Sequence, residues 1–481
     1  YMKTLLGIPV EKLDSSKYMM QLRGLVHWKR QGGKGTMECC TAFGKSYMAC
    51  LGIKKMSLTM TNLKVIVIVP TQQLQGQWID LLTDLDLIKY CEVYVVNTVA
   101  LKDKVYHCDF LVLDEGHRYG SEHFSKVFSL VKYRFVMVLT ATIDRLDGKE
   151  KLIKEFAPVV MRITQKEAIR RGWISDFVEC NVPMLLTRSE KEKLSNMSKI
   201  ISESLNTFDK DPDLMRKCMQ IEEAATYARC LFMSSSEDEI RDKAKEYQIA
   251  ALQGQQFTAM RLKFLNNLEQ KIVATVDLIN EFGLKTITFS QSTQFADEVN
   301  KRIGKRAVSY HTKLQPYYRN EEKTKSYKTK AGADRYALTK GHKVRPVDGA
   351  WEVYWTEAKK VGITVQKREA LDNFSNNKGG VDVICTARAL DQGFNVEDVE
   401  LGVNASGSSN PTQYVQRTGR VARHYTYTDG TKKQGIFVNL YVPNSRDRMS
   451  LEKAQAGSLN VIELDSIEEC ISLIRKRLKL K

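Results

Sequence analysis

Proline is scarce in this chain, 9 among 481 residues, and its 28 glycines follow no fixed period. That combination excludes collagen-like and proline-rich disordered architectures. Long apolar runs are missing too. The longest, Val65–Val69 and 135–139, are about five residues, against the roughly 20 that a membrane-crossing helix requires. The ten cysteines contain no Cys-x-x-Cys pair and make no regular framework, so the expectation is reduced thiols with neither a disulfide scaffold nor structural zinc. Near the N-terminus there is no charged stretch followed by an apolar segment and a small-residue cleavage site, which points to a cytoplasmic protein. No acidic cluster or histidine-rich set suggests a nuclease.

What is present is ordinary globular material, 43% hydrophobic and 27% charged, long enough for about three units at roughly 150 residues each. The balance of charge is not ordinary. Lys plus Arg number 74 against 57 Asp plus Glu, a net +17, which favours a polyanion, nucleic acid before an anionic membrane. Residues 313–368 hold 14 basic and 6 acidic residues, or +8 of that total.

Between residues 62 and 142 short β-rich runs alternate with helix-like segments, and the same grammar returns after residue 283. Continuous apolar strands separated by helices predict parallel sheets covered on both faces. The expected fold class is therefore α/β, with two such domains in tandem. Domain 1 spans 1–183 and domain 2 spans 283–455. Residues 184–282 between them read as helical, with Leu262, Leu265, Leu268, Ile272, Val276 and Ile279 forming one packing stripe. Residues 456–481 read as a basic C-terminal helix.

Three segments carry candidate chemistry. Thr41-Ala-Phe-Gly44-Lys45-Ser46 precedes a helical pattern; such a loop cradles phosphates on its N–H groups, with Lys45 reaching the β and γ oxygens and Ser46 ligating Mg²⁺. Its pattern is imperfect, since Cys39 stands at the first glycine place and Ala42 where a second glycine is common. An apolar strand, 110–113, ends in Asp114-Glu115-Gly116-His117. Asp114 suits the Mg²⁺ shell and Glu115 suits activation of the attacking water, although a carboxylate pair after a strand is also an ordinary solvated turn. In Gln416-Arg-Thr-Gly-Arg420-Val-Ala-Arg423, Gln416, Arg420 and Arg423 recur at helical spacing. Their guanidiniums match phosphate oxygens, or else form a solvated basic face.

Taken in order, these segments resemble helicase superfamily II, in the branch that holds XPB-type and phage branch-migration helicases. Gln21 resembles the upstream glutamine that reads adenine. Val69-Pro70-Thr71 is similar to motif Ia, Asp114 to His117 to a DExH box, and Leu139 to Thr142 with Asp144, Arg145, Asp147 and Gly148 to motif III and its extension. Thr288 to Ser290 resembles motif IV, Ala387 to Asn395 with Asp391 and Gly393 motif V, and Gln416 to Arg423 motif VI. The resemblance implies two RecA-like domains closing on ATP and Mg²⁺, with Lys45, Glu115, Gln416, Arg420 and Arg423 catalytic. Thr41, Gly44, Asp391 and Gly393 would help hold the nucleotide. His117, Thr140 and Thr142 would couple hydrolysis to movement, and Thr71, Thr98, Ser290, His311 and Thr386 would meet a phosphate backbone.

Residues 313–367 look like an insertion. Their rings and cations, Lys325, Tyr327, Lys328, Trp351 and Trp355 among them, suit stacking on bases and tracking of phosphates; the alternative is a small hairpin whose rings form its own core. The implied activity is an ATP-dependent DNA helicase or double-strand translocase acting on forks, junctions or duplex, alongside other recombination or replication proteins and without a membrane partner. An RNA helicase, the motor subunit of a restriction or remodelling complex, and a non-enzymatic nucleic-acid scaffold are the other readings.

Overall fold

The computed structural model describes residues 5–7, 14–102, 104–143, 148–388, 396–406, 410–455 and 461–479. Its first domain contains strands β1 (Lys34–Cys39), β2 (Val65–Val69), β3 (Cys91–Val95), β4 (Tyr106–Asp114), β5 (Val131–Thr140) and β6 (Val159–Ile163). They form one all-parallel sheet in the order β3-β2-β4-β5-β1-β6. All five residues of β2, Val-Ile-Val-Ile-Val, are buried, as the central strand of a sheet covered by helices on both faces must be.

The second sheet has seven parallel strands in the order β16-β7-β15-β14-β8-β13-β9. They are β7 (Phe177–Pro183), β8 (Thr286–Ser290), β9 (Ala307–Tyr310), β13 (Val383–Ala387), β14 (Leu401–Asn404), β15 (Gly435–Tyr441) and β16 (Val461–Glu463). The predicted α/β class with two parallel-sheet domains is what the chain adopts. The domain boundary differs. β7, expected to close domain 1 at residue 183, pairs along its whole length with β15 of the second sheet, and β16, from the segment read as helix only, pairs with β7. Strand partners are chosen by burial between distant segments, which a local pattern does not encode.

The stripe expected on one helix is split between two, Glu237–Asn266 and Glu269–Phe282. Asn267 ends the first, its side-chain amide donating to the Lys263 carbonyl at 2.7 Å. The second packs into the core of domain 2 through Ile272, Ala274, Leu278 and Ile279. The remaining helices, Arg188–Asn206, Pro212–Lys217, Ile221–Leu231 and Glu237–Asn266, gather around Phe208, Met215, Ala228 and Ile240.

Residues 313–367 form a separate antiparallel sheet of β10 (Tyr317–Tyr327), β11 (Lys343–Val347) and β12 (Ala350–Val361), ordered β10-β12-β11, with helix Lys330–Lys340 against it. No helix among the described residues is long and apolar enough to cross a membrane.

Candidate nucleotide cleft between two domains

A cavity of about 1210 Å³ is lined by both domains. From the first come Gln21, Thr41, Gly44, Lys45, Ser46, Asp114 and Glu115; from the second come Gln416, Gly419, Arg420 and Arg423. Residues as far apart in sequence as Gln21 and Arg423 therefore share one site. Asp391 and Gly393 lie outside the described residues, as do Asp144, Arg145 and Asp147.

The floor is the turn from β1 into helix Lys45–Ser57. Gly44, at φ 89°, occupies the left-handed region at the helix N-cap, where glycine carries no Cβ penalty. Ala42 sits at φ 65°, a conformation that costs an L-residue roughly 1–2 kcal/mol and explains why glycine is common at this place. The turn is braced from outside. Lys17 Nζ donates to the Ala42 carbonyl at 2.8 Å and Gln21 Nε2 to the Phe43 carbonyl at 3.0 Å. Phe43 packs on Trp173 with ring centroids 5.4 Å apart. Lys45 Nζ rests on the Cys39 and Cys40 carbonyls at 3.0 and 3.3 Å. Cys39 and Cys40 are buried, and burial, the dominant effect, pushes their thiols up to about 12 and about 11, so neither is a thiolate at neutral pH.

Asp114 and Glu115 sit at the end of β4, where the chain leaves the sheet with Glu115 at φ 52°. Gly116 follows because a Cβ there would run into Val138 of the neighbouring strand. Asp114 is 6% exposed; it accepts from Trp78 Nε1 at 2.8 Å and from the Glu115 N–H at 3.0 Å. Burial first, and then the Glu115 charge, push its carboxyl up to about 6, while Trp78 and Lys45 pull the other way. The folded protein thus holds this proton more tightly than the unfolded chain does, and the nucleotide-free protein loses stability as pH rises from about 4 to about 6. Asp114→Asn is expected to melt above the wild type at pH 7, the advantage fading as pH falls from about 6 to about 4. Calorimetric scans across that range check it.

Glu115 links the two domains. Its Oε2 accepts from Gln416 Nε2 at 3.2 Å, across the cleft, and lies 3.5 Å from His117 Nδ1. His117 Nδ1 is 3.4 Å from the Thr140 hydroxyl, which donates to the Thr142 carbonyl at 2.6 Å. The expected coupling residues therefore form one continuous chain from the Glu115 carboxylate to the end of β5. Gly419 packs against Thr41 so closely that a Cβ would overlap the threonine side chain.

Arg423 Nη1 donates to the Val396 carbonyl at 3.2 Å. Burial, followed by the like charge of Arg420, lowers its guanidinium to about 9, still a cation at neutral pH. Two cations converging on one cavity mark a site for an anion.

The helix that carries Arg420, Pro411–Val421, ends two residues before Arg423 and rests on a buried polar ladder that the sequence reading missed. Asn404, Asn439 and Asn181 stand in register on β14, β15 and β7. Asn404 donates to Asn439 at 2.9 Å, and Asn439 donates to Asn181 at 3.0 Å and to the Tyr414 hydroxyl at 2.9 Å. Arg417 Nη1 donates to Asn404 at 3.0 Å, and at the far edge Asn181 reaches Glu463 of β16 at 2.7 Å. Asn439→Leu strands several buried partners, each at about 1–3 kcal/mol. A drop in melting temperature is expected, with kcat falling by about tenfold for a misplacement well under 1 Å and KM for ATP near wild type; steady-state kinetics separate the two.

Three of the expected backbone-contacting residues do not present themselves. Ser290, His311 and Thr386 are each about 1% exposed. The Ser290 hydroxyl accepts from the Ser292 N–H at 2.9 Å, and the Thr386 hydroxyl donates to the Thr288 carbonyl at 2.8 Å. His311 Nδ1 accepts from the Lys313 N–H at 3.2 Å, which leaves Nε2 to donate to Asp297 at 2.8 Å. At the ends of buried strands, polar groups satisfy one another. Thr71 caps helix Gln72–Asp84, while Thr98 lies exposed on helix Val96–Ala100. The insertion's rings are also spoken for. Tyr327, Trp351 and Trp355 pack around Ala333, Ala337 and Val353, and Trp355 stacks on His342 at 4.6 Å. They form the insertion's own core and are not open platforms for bases.

Comparison with known proteins agrees with this geometry. A family model described as the helicase conserved C-terminal domain matches residues 329–425. Over 433 residues the chain is 20% identical to the DNA 3'-5' translocase XPB2 of Sulfurisphaera tokodaii, covering 86% of this chain and 79% of that protein. Among solved structures, the Hef helicase domain of Pyrococcus furiosus aligns with TM-score 0.51 and 13% identity over 91% of this chain and 99% of its own. Dbp5 of S. cerevisiae bound to RNA and ADP BeF3 aligns with TM-score 0.54 and 12% identity over 95% and 93%. With its motifs in order and its tandem domains sharing one cleft, the chain is similar to the superfamily II helicases of XPB-like kind, and these likenesses support an ATP-driven enzyme of nucleic acid.

Proposed function

We propose that the chain is an ATP-dependent DNA helicase or double-strand DNA translocase that works on forked or branched DNA in recombination, repair or replication. The observation that carries the motor mechanism is the 3.2 Å contact between Glu115 of one domain and Gln416 of the other. Groups needed for hydrolysis are complete only when the domains are together, so a triphosphate acts as a ligand that selects the closed state and product release reopens it. The net +17 charge suits nucleic acid of either kind, and DNA is favoured by the likeness, over 86% of this chain and 79% of that protein, to a protein named as a DNA translocase.

In this reading the N–H groups from Thr41 to Ser46 and the Lys45 ammonium hold the phosphates. Glu115, held between Gln416 and His117, takes the proton of the attacking water. Arg420 and Arg423 stabilise the charge that develops on the leaving phosphoryl group. Ser46 and Asp114 both line the cavity, and the buried acidic pair there suits a divalent cation. Mg²⁺ would be held by these two residues and would neutralise phosphate charge.

The RNA-bound state of Dbp5 makes RNA the second substrate to examine. The test is the ATPase rate with no polymer, single-stranded DNA, duplex DNA, branched DNA and RNA. Stimulation greatest with branched or duplex DNA is expected. Stimulation by RNA alone would replace DNA as the substrate, and no stimulation by any polymer would remove the motor reading.

A further inference from the structure

β10 and β12 run antiparallel over 11 and 12 residues from the body of domain 2, and at about 3.4 Å per residue this arm reaches roughly 37 Å. Helix Lys330–Lys340 lies back along one face of its outer half, over Val353.

Charge is sorted along the arm. Near its base, Arg319 pairs with Glu369 at 3.0 Å, and Lys323 and Lys359 pair with Glu321 at 3.8 and 3.0 Å. On the sheet face away from the helix, Arg345 bridges Glu322 and Glu352 at 2.6 and 2.7 Å. On the helix side of the outer half the pattern reverses. Among the described residues Lys325, Lys328, Lys330, Arg335 and Lys340 make no ion pair. Lys325 and Lys340 converge on one ring, their ammoniums 4.4 and 5.7 Å from the Tyr336 centroid, and Lys330 lies 5.2 Å from that of Trp351. Cations drawn together over rings and held in no ion pair are pre-ordered for an external anion.

We infer that this helix-bearing face of the arm is a clamp for the phosphate backbone of a nucleic-acid duplex lying beyond the two-domain motor. The inference rests on the nucleic-acid reading above and names a contact that reading does not require. Duplex is favoured over an unpaired strand by the fate of the rings. Proteins that hold single strands offer aromatic faces to the bases, whereas here Trp351, Trp355 and Tyr327 are partly buried against Ala333, Ala337 and Val353. A duplex hides its bases and presents phosphates. Recognition is therefore sequence-independent and salt-sensitive.

The experiment titrates the full chain against duplexes of two unrelated sequences between 50 and 200 mM salt. Three forms are compared: wild type, Lys325→Gln/Lys330→Gln/Lys340→Gln, and Lys328→Gln/Arg335→Gln, which leaves the ring contacts intact. With one phosphate per cation, the slope of log K on log salt is expected to fall by about 2.7 in the triple variant and about 1.8 in the double, equally for both sequences. At the low-salt end affinity should drop by at least about tenfold. An unchanged slope in a normally melting double variant overturns the clamp. So does retention of duplex affinity together with loss of binding to phosphatidylglycerol vesicles, which would make the face a lipid contact. Failure of the motor reading is separately visible, as a wild-type ATPase that no polymer stimulates.

Discussion

Gly419→Ala is expected to lower kcat for ATP hydrolysis by about 100-fold, the loss that a misplacement near 1 Å can produce, while ATP binding to the first domain stays within a few-fold of wild type. The added Cβ would overlap Thr41 across the cleft, so the domains stop short and Gln416 no longer reaches Glu115. Arg420 lies one residue further along the same helix and is withdrawn with it. Single-turnover hydrolysis alongside equilibrium binding of a nucleotide analogue measures the two effects. Because the obstacle is a pair of side chains, Thr41→Gly in the Gly419→Ala background should recover part of the rate. A Gly419→Ala enzyme with wild-type kcat would mean that the closed contact is not on the reaction path.

Glu115→Gln is expected to reduce kcat by about 10²–10⁴-fold, the range for loss of a positioned general base, with KM for ATP little changed. The amide keeps the size of the carboxylate but cannot take a proton from water. A residual rate within tenfold of wild type would assign the base elsewhere. Polymer affinity in the presence of ATP should be retained or increased, since the closed state persists when hydrolysis is blocked; equilibrium binding reads this directly.

Much of this cleft was legible because its parts are contiguous. The Thr41–Ser46 loop, the Asp114–His117 box and the Gln416–Arg423 segment each keep their chemistry within a few residues, and the structure gathers all three around one cavity. Supports from distant segments were not legible. Nothing local to Trp78 says that its indole holds Asp114, or that Asn181, Asn404 and Asn439 will align on three strands. The same limit misplaced β7, whose apolar pattern suits either sheet and whose partner is set by packing. The burial of Ser290, His311 and Thr386 was not legible either, because polar residues at strand ends look alike whether they face a ligand or one another. In the insertion, a hairpin with rings packed on its own core was one of the two readings the composition allowed, but that a helix covers one face of it was not legible.

The assignment of β7 to the second sheet has a mechanical outcome. The helical bundle leaves domain 2 just after β7 and returns through helix Glu269–Phe282, and its base is fastened there by Gln270, which donates to Glu190 at 2.8 Å. It is therefore an outrigger of the lobe that bears Arg420, and it swings with that lobe. Helix Glu237–Asn266 has 30 residues, about 45 Å of rigid rod at 1.5 Å per residue. A hinge rotation on the order of 10° would sweep its end through roughly 8 Å, more than one nucleotide step, and so turn a small motion at the triphosphate into a long stroke at the periphery.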